Sequence, residues 1–331
     1  MSATPTPLLA FQVETLFQSC HHIQPSFWHA FCYGFGVAAA FVGSLYILVP
    51  SRIRRLDRDD PLHIQWRTFA TSVVCLVSIL VYPWSFCADS SSEGESVLVR
   101  LGLWPSQGTG LWHFFLGPLA HSVLLYLGPI TMLLLQAKLM AESTADPSAM
   151  DYWEALKAVL FPTPLGQPAP EQLERERWIK LRAKVIAPIL EEIAFRGCLI
   201  PPLLATGLFH PAAVAWIAPL FFGLAHCHHA ALRLQQGESL QKTLLSTAFQ
   251  FLYTTLFGAY VSFAFIRTGS IVAVILSHSF CNTMGLPSAA FLDRRSSLYK
   301  YHIDLVKAYL LGVAIFVWGF FDPLATFLPR K

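Results

Sequence analysis

Two adjacent carboxylates, Glu191 and Glu192, lie in the string Glu191-Glu-Ile-Ala-Phe-Arg196, within a stretch that is otherwise apolar. On a helix, positions four apart share a face, whereas neighbours point about 100° apart. Glu192 is therefore placed to pair with Arg196, and Glu191 is aimed elsewhere and left free for chemistry. Two more polar strings follow in apolar surroundings, Phe222-Gly-Leu-Ala-His226 and His278-Ser-Phe-Cys-Asn282, the second putting a histidine and an amide on one helical face. A Glu-Arg pair that only locks two helices would explain Glu192 and Arg196, but it gives no reason for a second carboxylate. An isolated His-Asn pair could likewise serve only to join neighbouring helices. Taken together, two carboxylates, two histidines and an amide on separate helices point to one convergent site.

The chemistry of that set is water activation, because no Ser or Cys stands in a nucleophile motif. An apolar cavity strengthens a carboxylate as a general base. Glu191 and His226 are read as the groups that take a proton from water, and His278 and Asn282 as donors to the oxyanion of a tetrahedral intermediate. Glu192, Arg196 and Phe222 support them, and His228 and His229 receive no role. This is a toolkit for amide hydrolysis. The sequence holds no H-E-x-x-H and no G-x-S-x-G, the signatures of zinc proteases and serine hydrolases. An aspartyl dyad is also missing, since Asp322 is the one Asp within an apolar run. No cofactor is expected; a zinc ion held by Glu191, His226 and His278 stays as the alternative. A different class, a transporter using the same Glu and His groups as a proton relay, also stays open, although the inverted repeats of many transporters are not visible.

Such groups need a scaffold, and the composition says which kind. Of 331 residues 54% are apolar and 13% charged, the latter about half the share of a soluble domain. The charged residues are bunched, which leaves runs of roughly 20 residues suited to a bilayer core. The spans are read as Ala30–Pro50, Thr68–Ala88, Leu111–Leu135, Val185–Thr206, Pro211–Ala225, Thr243–Ile266, Thr268–Leu292 and Val306–Leu328. The expected fold is all-α, a polytopic membrane protein with about eight transmembrane helices around a cytosol-facing cavity. Residues 1–331 form one integral membrane domain, residues 185–286 supply the catalytic core helices, and residues 138–184 form a cytoplasmic loop with an amphipathic helix. In that loop Phe161-Pro-Thr-Pro is a turn signal ahead of the Glu171–Lys184 stretch.

Positive charge tests the count, because Lys and Arg collect on the cytoplasmic side. The loops Ser51–Arg67, Lys138–Lys184, Cys227–Lys242 and Asp293–Lys307 hold 18 of the 23. These are alternate loops, as eight spans require, and both termini then lie on the other side, as does the acidic loop Asp89–Gly110. Glu191 is about seven residues, or roughly 10 Å, from the cytoplasmic end of its helix, and Asn282 roughly 15 Å from the same side. The first 29 residues contain no Lys or Arg, so the basic n-region of a cleaved signal peptide is missing. A net charge of +3, scattered among loops, gives no reason to expect nucleic acid as a partner. Seven cysteines without a C-x-x-C pair do not read as a disulfide framework or a thiolate zinc site.

Glu191-Glu-x-x-x-Arg196, Phe222-x-x-x-His226 and His278-x-x-x-Asn282, in that order across eight spans, resemble the type II CAAX prenyl endopeptidases of the wider ABI or CPBP intramembrane protease family. The likeness centres on about Val185 to Leu286 and extends to Arg58-Asp-Asp-Pro61. It implies an enzyme of the endoplasmic reticulum membrane that removes the last three residues from prenylated CAAX protein C-termini, such as those of Ras-type small GTPases, with membrane lipid around the prenyl chain. Position by position, it implies water activation by Glu191 with His226, oxyanion stabilisation by His278 and Asn282, and support from Glu192 and Arg196. Both metal-dependent and metal-free glutamate mechanisms have been argued for that family.

Overall fold

Within a bilayer a long apolar run satisfies its own backbone groups only by closing into a helix, and the computed structural model is built that way. The structure describes residues 19–22, 24–88, 95–106, 108, 110–143, 151–160 and 169–321. The Phe161 turn, Asp322, residues 89–94 of the acidic loop and the end of the last expected span lie outside the described residues.

The long helices are α1 (Phe27–Ile47) and α2 (Pro61–Phe86), followed by the pair α3 (Gly117–Leu125) and α4 (Leu127–Glu142). Short α5 (Tyr152–Leu160) precedes α6 (Pro170–Leu181), α7 (Ala187–Glu192) and α8 (Ile200–Ala205). Then come α9 (Pro211–His226), α10 (His228–Gln235), α11 (Leu240–Thr268), α12 (Ile271–Met284) and α13 (His302–Phe321). Short strands β1 (Ser19–His22), β2 (Cys87–Ala88) and β3 (Glu95–Ser96) form a small antiparallel patch in the order β2-β1-β3. Cys87 is disulfide-bonded, where the cysteine spacing gave no sign of a bridge; Cys32, Cys75, Cys198, Cys227 and Cys281 are free thiols.

The protein is an all-α polytopic membrane protein, but its spans are fewer in full-length form than eight. Among the described residues five helices are long and apolar enough to cross, six if α3 and α4, bent by 66°, count as one. The other two expected spans take shorter forms. Val185–Thr206 is divided among a π-helical turn at Arg182–Ile186, α7, a second π-helical turn at Ile193–Gly197, and α8. Pro188, Pro201 and Pro202 each remove a backbone donor there. Thr268–Leu292 shrinks to the 14 residues of α12, about 21 Å at the α-helical rise, because Gly269 and Gly285 stop the chain at either end with positive φ. These two segments carry the carboxylates and the His-Asn pair, and longer helices enclose them.

The basic stretch before α7 also differs from expectation. Helix α4 runs on to Glu142, and α6 is polar nearly all round with no buried residue, rather than amphipathic. The amphipathic helix of this stretch is α5, which buries Ala155.

Small residues let the central helices close on each other. A Cβ on Gly258 of α11 would stand 2.8 Å from Pro219 Cβ of α9 and 3.1 Å from Arg196 Nη2, so only glycine allows this crossing over the buried guanidinium. The main core, which includes Phe195, Leu199, Phe222, Val261, Phe265 and Ile271, wraps the same segments.

Candidate active site

The π-helical turn at Arg182–Ile186 begins the construction. The Ala187 amide donates to Arg182 O instead of Ala183 O, and Pro188 has no hydrogen for Lys184 O. Two carbonyls are left without their usual i+4 donors, and α12 supplies replacements. Asn282 Nδ2 donates to Ala183 O at 2.9 Å, and Ser279 Oγ donates to Lys184 O. Midway along α12, Ser277 joins a buried cluster with Ser122 and Tyr260, the latter also donating to Pro118 O at 2.9 Å. Helix α12 is thereby fixed against α3, α11 and the segment that carries both glutamates.

The buried half of the site is a linear array. Arg196 Nη1 donates to Glu192 Oε1 at 3.2 Å, and His278 Nδ1 lies 2.6 Å from the same oxygen. The Arg196 guanidinium also lies over the Phe222 ring, 4.7 Å from its centroid. Glu192 has no side-chain exposure, and Arg196 has 1%. Truncating one partner of such a pair strands the other charge, at a cost of about 3–5 kcal/mol.

The open half begins with Glu191, whose side chain is 20% exposed and whose Oε2 lies 3.8 Å from His278 Nε2. That gap is too long for a direct hydrogen bond and suits one oxygen held between the two groups. His226 Nδ1 donates to Phe222 O at 2.8 Å, so the neutral ring has its Nε2 free to accept. The Phe222 and His226 rings meet edge to face with centroids 4.6 Å apart.

The structure brings Glu191, Glu192, Arg196, Phe222 and His278 together. It joins His226 to Phe222 and Asn282 to Ala183, with no hydrogen bond or ion pair from either to Glu191 or His278 among the described residues. The histidine facing Glu191 is His278. Among the described residues no three His, Cys, Asp or Glu side chains converge as a metal site requires. The zinc set of Glu191, His226 and His278 therefore does not fit this geometry.

Next to His278 lies an apolar cleft of about 540 Å³, lined by Tyr126, Tyr253, Leu256, Phe257, Asn282 and Phe316 among others. The Phe257 ring meets that of His278 with centroids 4.9 Å apart. Nothing in the sequence singled out Tyr253 or Phe257. They lie on α11 at the spacing that puts residues on one helical face, but that face could be assigned only once α12 was placed against it.

The loops flanking the site hold together on one face of the molecule. Arg175 pairs with Asp57 at 2.8 Å, Arg182 with Asp59 at 2.9 Å, and Arg58 meets the His229 ring at 3.3 Å. The basic loop after α1 thus touches two of the other three.

A family model described as "Type II CAAX prenyl endopeptidase Rce1-like" matches residues 175–284. The chain is 36% identical to CAAX prenyl protease 2 of Homo sapiens over 284 residues, which cover 85% of this chain and 77% of that one. It is 30% identical to CAAX prenyl protease 2 of Arabidopsis thaliana over 279 residues, 83% of each chain. For the Caenorhabditis elegans protein of the same name the figures are 27% over 291 residues, 86% of this chain and 95% of the relative. No solved structure matches the chain.

Proposed function

The chain belongs to the type II CAAX prenyl endopeptidase family, and from that premise we propose that it cleaves the C-terminal tripeptide from prenylated CAAX proteins by glutamate- and histidine-activated water. Membership of a protease family displaces the proton-relay alternative. The mechanism rests on one observation above the rest: Glu191 and His278 Nε2 face each other across 3.8 Å while Glu192 holds the far side of the ring.

In this reading Glu191 accepts the proton of a water positioned between it and His278. The water oxygen attacks the carbonyl of the prenylated cysteine, and negative charge gathers on the carbonyl oxygen. Glu192 fixes the orientation of His278 and stabilises its imidazolium, as a buried carboxylate does for a catalytic histidine. Glu191 passes the proton it accepted to His278 Nε2, and the scissile nitrogen takes it from the ring as the C–N bond breaks and the tripeptide leaves as an amine. His226, whose Nε2 has no partner among the described residues, accepts a hydrogen bond from the water. Asn282 has given one amide hydrogen to Ala183 and retains the second for the oxyanion. The geometry supports a division of labour in which Glu192 and Arg196 position and Glu191 reacts.

The apolar cleft beside His278 is the place for the isoprenoid, whose burial contributes about 0.8 kcal/mol per CH₂. The same proposal has the enzyme act in the endoplasmic reticulum membrane with its site open to the cytosol. Two features support this orientation: the basic loops gather on the site's face, and the bonded Cys87 lies at the opposite end of α2, where an oxidising lumen favours disulfides.

The deciding experiment is cleavage of a farnesylated CAAX peptide by the purified protein in liposomes, with and without a strong chelator. Release of the intact tripeptide that persists in chelator is the expected result. Cleavage abolished by chelator and restored by zinc would overturn water activation by Glu191 and His278 alone.

A further inference from the structure

The proposed reaction uses neither the basic loop after α1 nor α10. Between them lies a second cleft, of about 710 Å³, whose wall includes Arg58, Arg67, His229, Arg233 and Gln250. Its charge is not balanced from within. Asp57 and Asp59 also line it, but their carboxylates are taken by Arg175 and Arg182. Arg233 spends its hydrogens on neutral oxygens, Ser246 Oγ at 2.8 Å and Gln250 Oε1 at 3.1 Å. Among the described residues the Arg58 guanidinium meets only the His229 ring. Among the described residues the Arg67 side chain makes no hydrogen bond or ion pair, although it lies on α2 and is partly buried. Burial and the neighbouring Arg182 push Arg58 below the ordinary arginine range despite the opposing pull of Asp59, as expected where desolvation and nearby cations outweigh a counter-charge.

The position of this cleft is as informative as its charge. Gln250 in the basic cleft and Tyr253 and Phe257 in the apolar one lie along one face of α11. Phe257 touches His278, and the helical rise from Phe257 to Gln250 is about 10 Å. Three extended residues also reach about 10 Å. A peptide cleaved beside His278, with its prenyl group in the apolar cleft, therefore carries its free C-terminus to the arginines.

We propose that this cleft receives the free C-terminal carboxylate of the substrate, with Arg58, Arg67 and Arg233 as its cationic wall. The inference rests on the endopeptidase reading and adds the rule by which such an enzyme measures three residues from the chain end. The carboxylate fixes the register, and the scissile bond is the one that then falls at Glu191 and His278.

The test uses the full-length protein in phosphatidylcholine liposomes and two farnesylated CAAX peptides that differ only in ending as carboxylate or carboxamide. Wild type should prefer the acid by roughly 10- to 100-fold in kcat/KM, the usual size for hydrogen bonds to a charged group, and mostly through KM. Arg67→Gln and Arg58→Gln should bring that preference down toward one, and Arg67→Lys should recover part of it. A merely structural role would slow both peptides alike and keep the preference, which would overturn the proposal. Equal cleavage of acid and amide by wild type would also overturn it while leaving the endopeptidase intact. If phosphatidylserine changed the rate on both peptides equally and the arginine variants lost that response, the cleft would belong to a lipid headgroup instead. Failure of folded wild type to cleave either peptide would remove the endopeptidase reading, and this inference with it.

Discussion

Glu191 and Glu192 are the same residue type at adjacent positions, yet the two sides of their helix are opposite environments. On the Glu192 side every direction is closed: Arg196 and His278 share one carboxylate oxygen, Phe222 lies over the guanidinium, and Gly258 admits α11 close above it. On the Glu191 side the carboxylate is partly exposed, its neighbour is 3.8 Å away, and an apolar cleft begins beyond. The difference teaches how a membrane enzyme keeps a reactive carboxylate in place. One carboxylate is buried against an arginine and a histidine that hold it through a single oxygen, and the helix so anchored presents the other.

Variants can break that contrast, and the largest effect belongs to the open side. Glu191→Ala should lower turnover by about 10²–10⁴-fold, the usual contribution of a positioned base, while leaving the thermal unfolding midpoint in detergent close to wild type. Full turnover in this variant would take the base role away from Glu191. Arg196→Ala attacks the closed side and should cost about 3–5 kcal/mol, seen as a lowered unfolding midpoint and poor yield along with lost activity. A stable but inactive Arg196→Ala protein would mean that the guanidinium acts on substrate and that the closed side is not purely supportive. Asn282→Ala falls on the border. Loss of an oxyanion donor predicts roughly 10²–10³-fold in kcat, whereas loss of the bond to Ala183 alone predicts only about 1 kcal/mol of stability, so comparing kcat with the unfolding midpoint separates the two. His228→Ala should be the mildest, since that ring donates only to the Ala225 carbonyl. A kcat loss there as large as in His226→Ala would redraw the end of α9.

The sequence made much of this legible because intramembrane charge is scarce. Where so few ionisable groups interrupt apolar runs, Glu191, Glu192, Arg196, His226 and His278 stand out, and i,i+4 spacing alone puts Glu192 opposite Arg196. Helical class and membrane insertion follow equally from composition. The lengths of the spans were less legible. Prolines at 188, 201 and 202 and glycines at 269 and 285 interrupt the segments, but hydropathy registers only the lack of charge, so broken and short segments read as full crossings. The polar helix α6 misled for the related reason that dense mixed charge looks amphipathic until its faces are mapped.

Taken alone, the chain determines that it is a helical membrane protein, which side of it is basic, and which few polar groups must be sheltered from lipid, because these follow from local transfer free energies and helical spacing. Which groups meet was decided only by the tertiary structure. Pairing of His278 with both glutamates depends on α12 filling the carbonyls that a π-helical turn and Pro188 leave open. The apolar and basic clefts depend on which face of α11 turns inward. Both are contacts between distant segments, and local spacing has no means of fixing them.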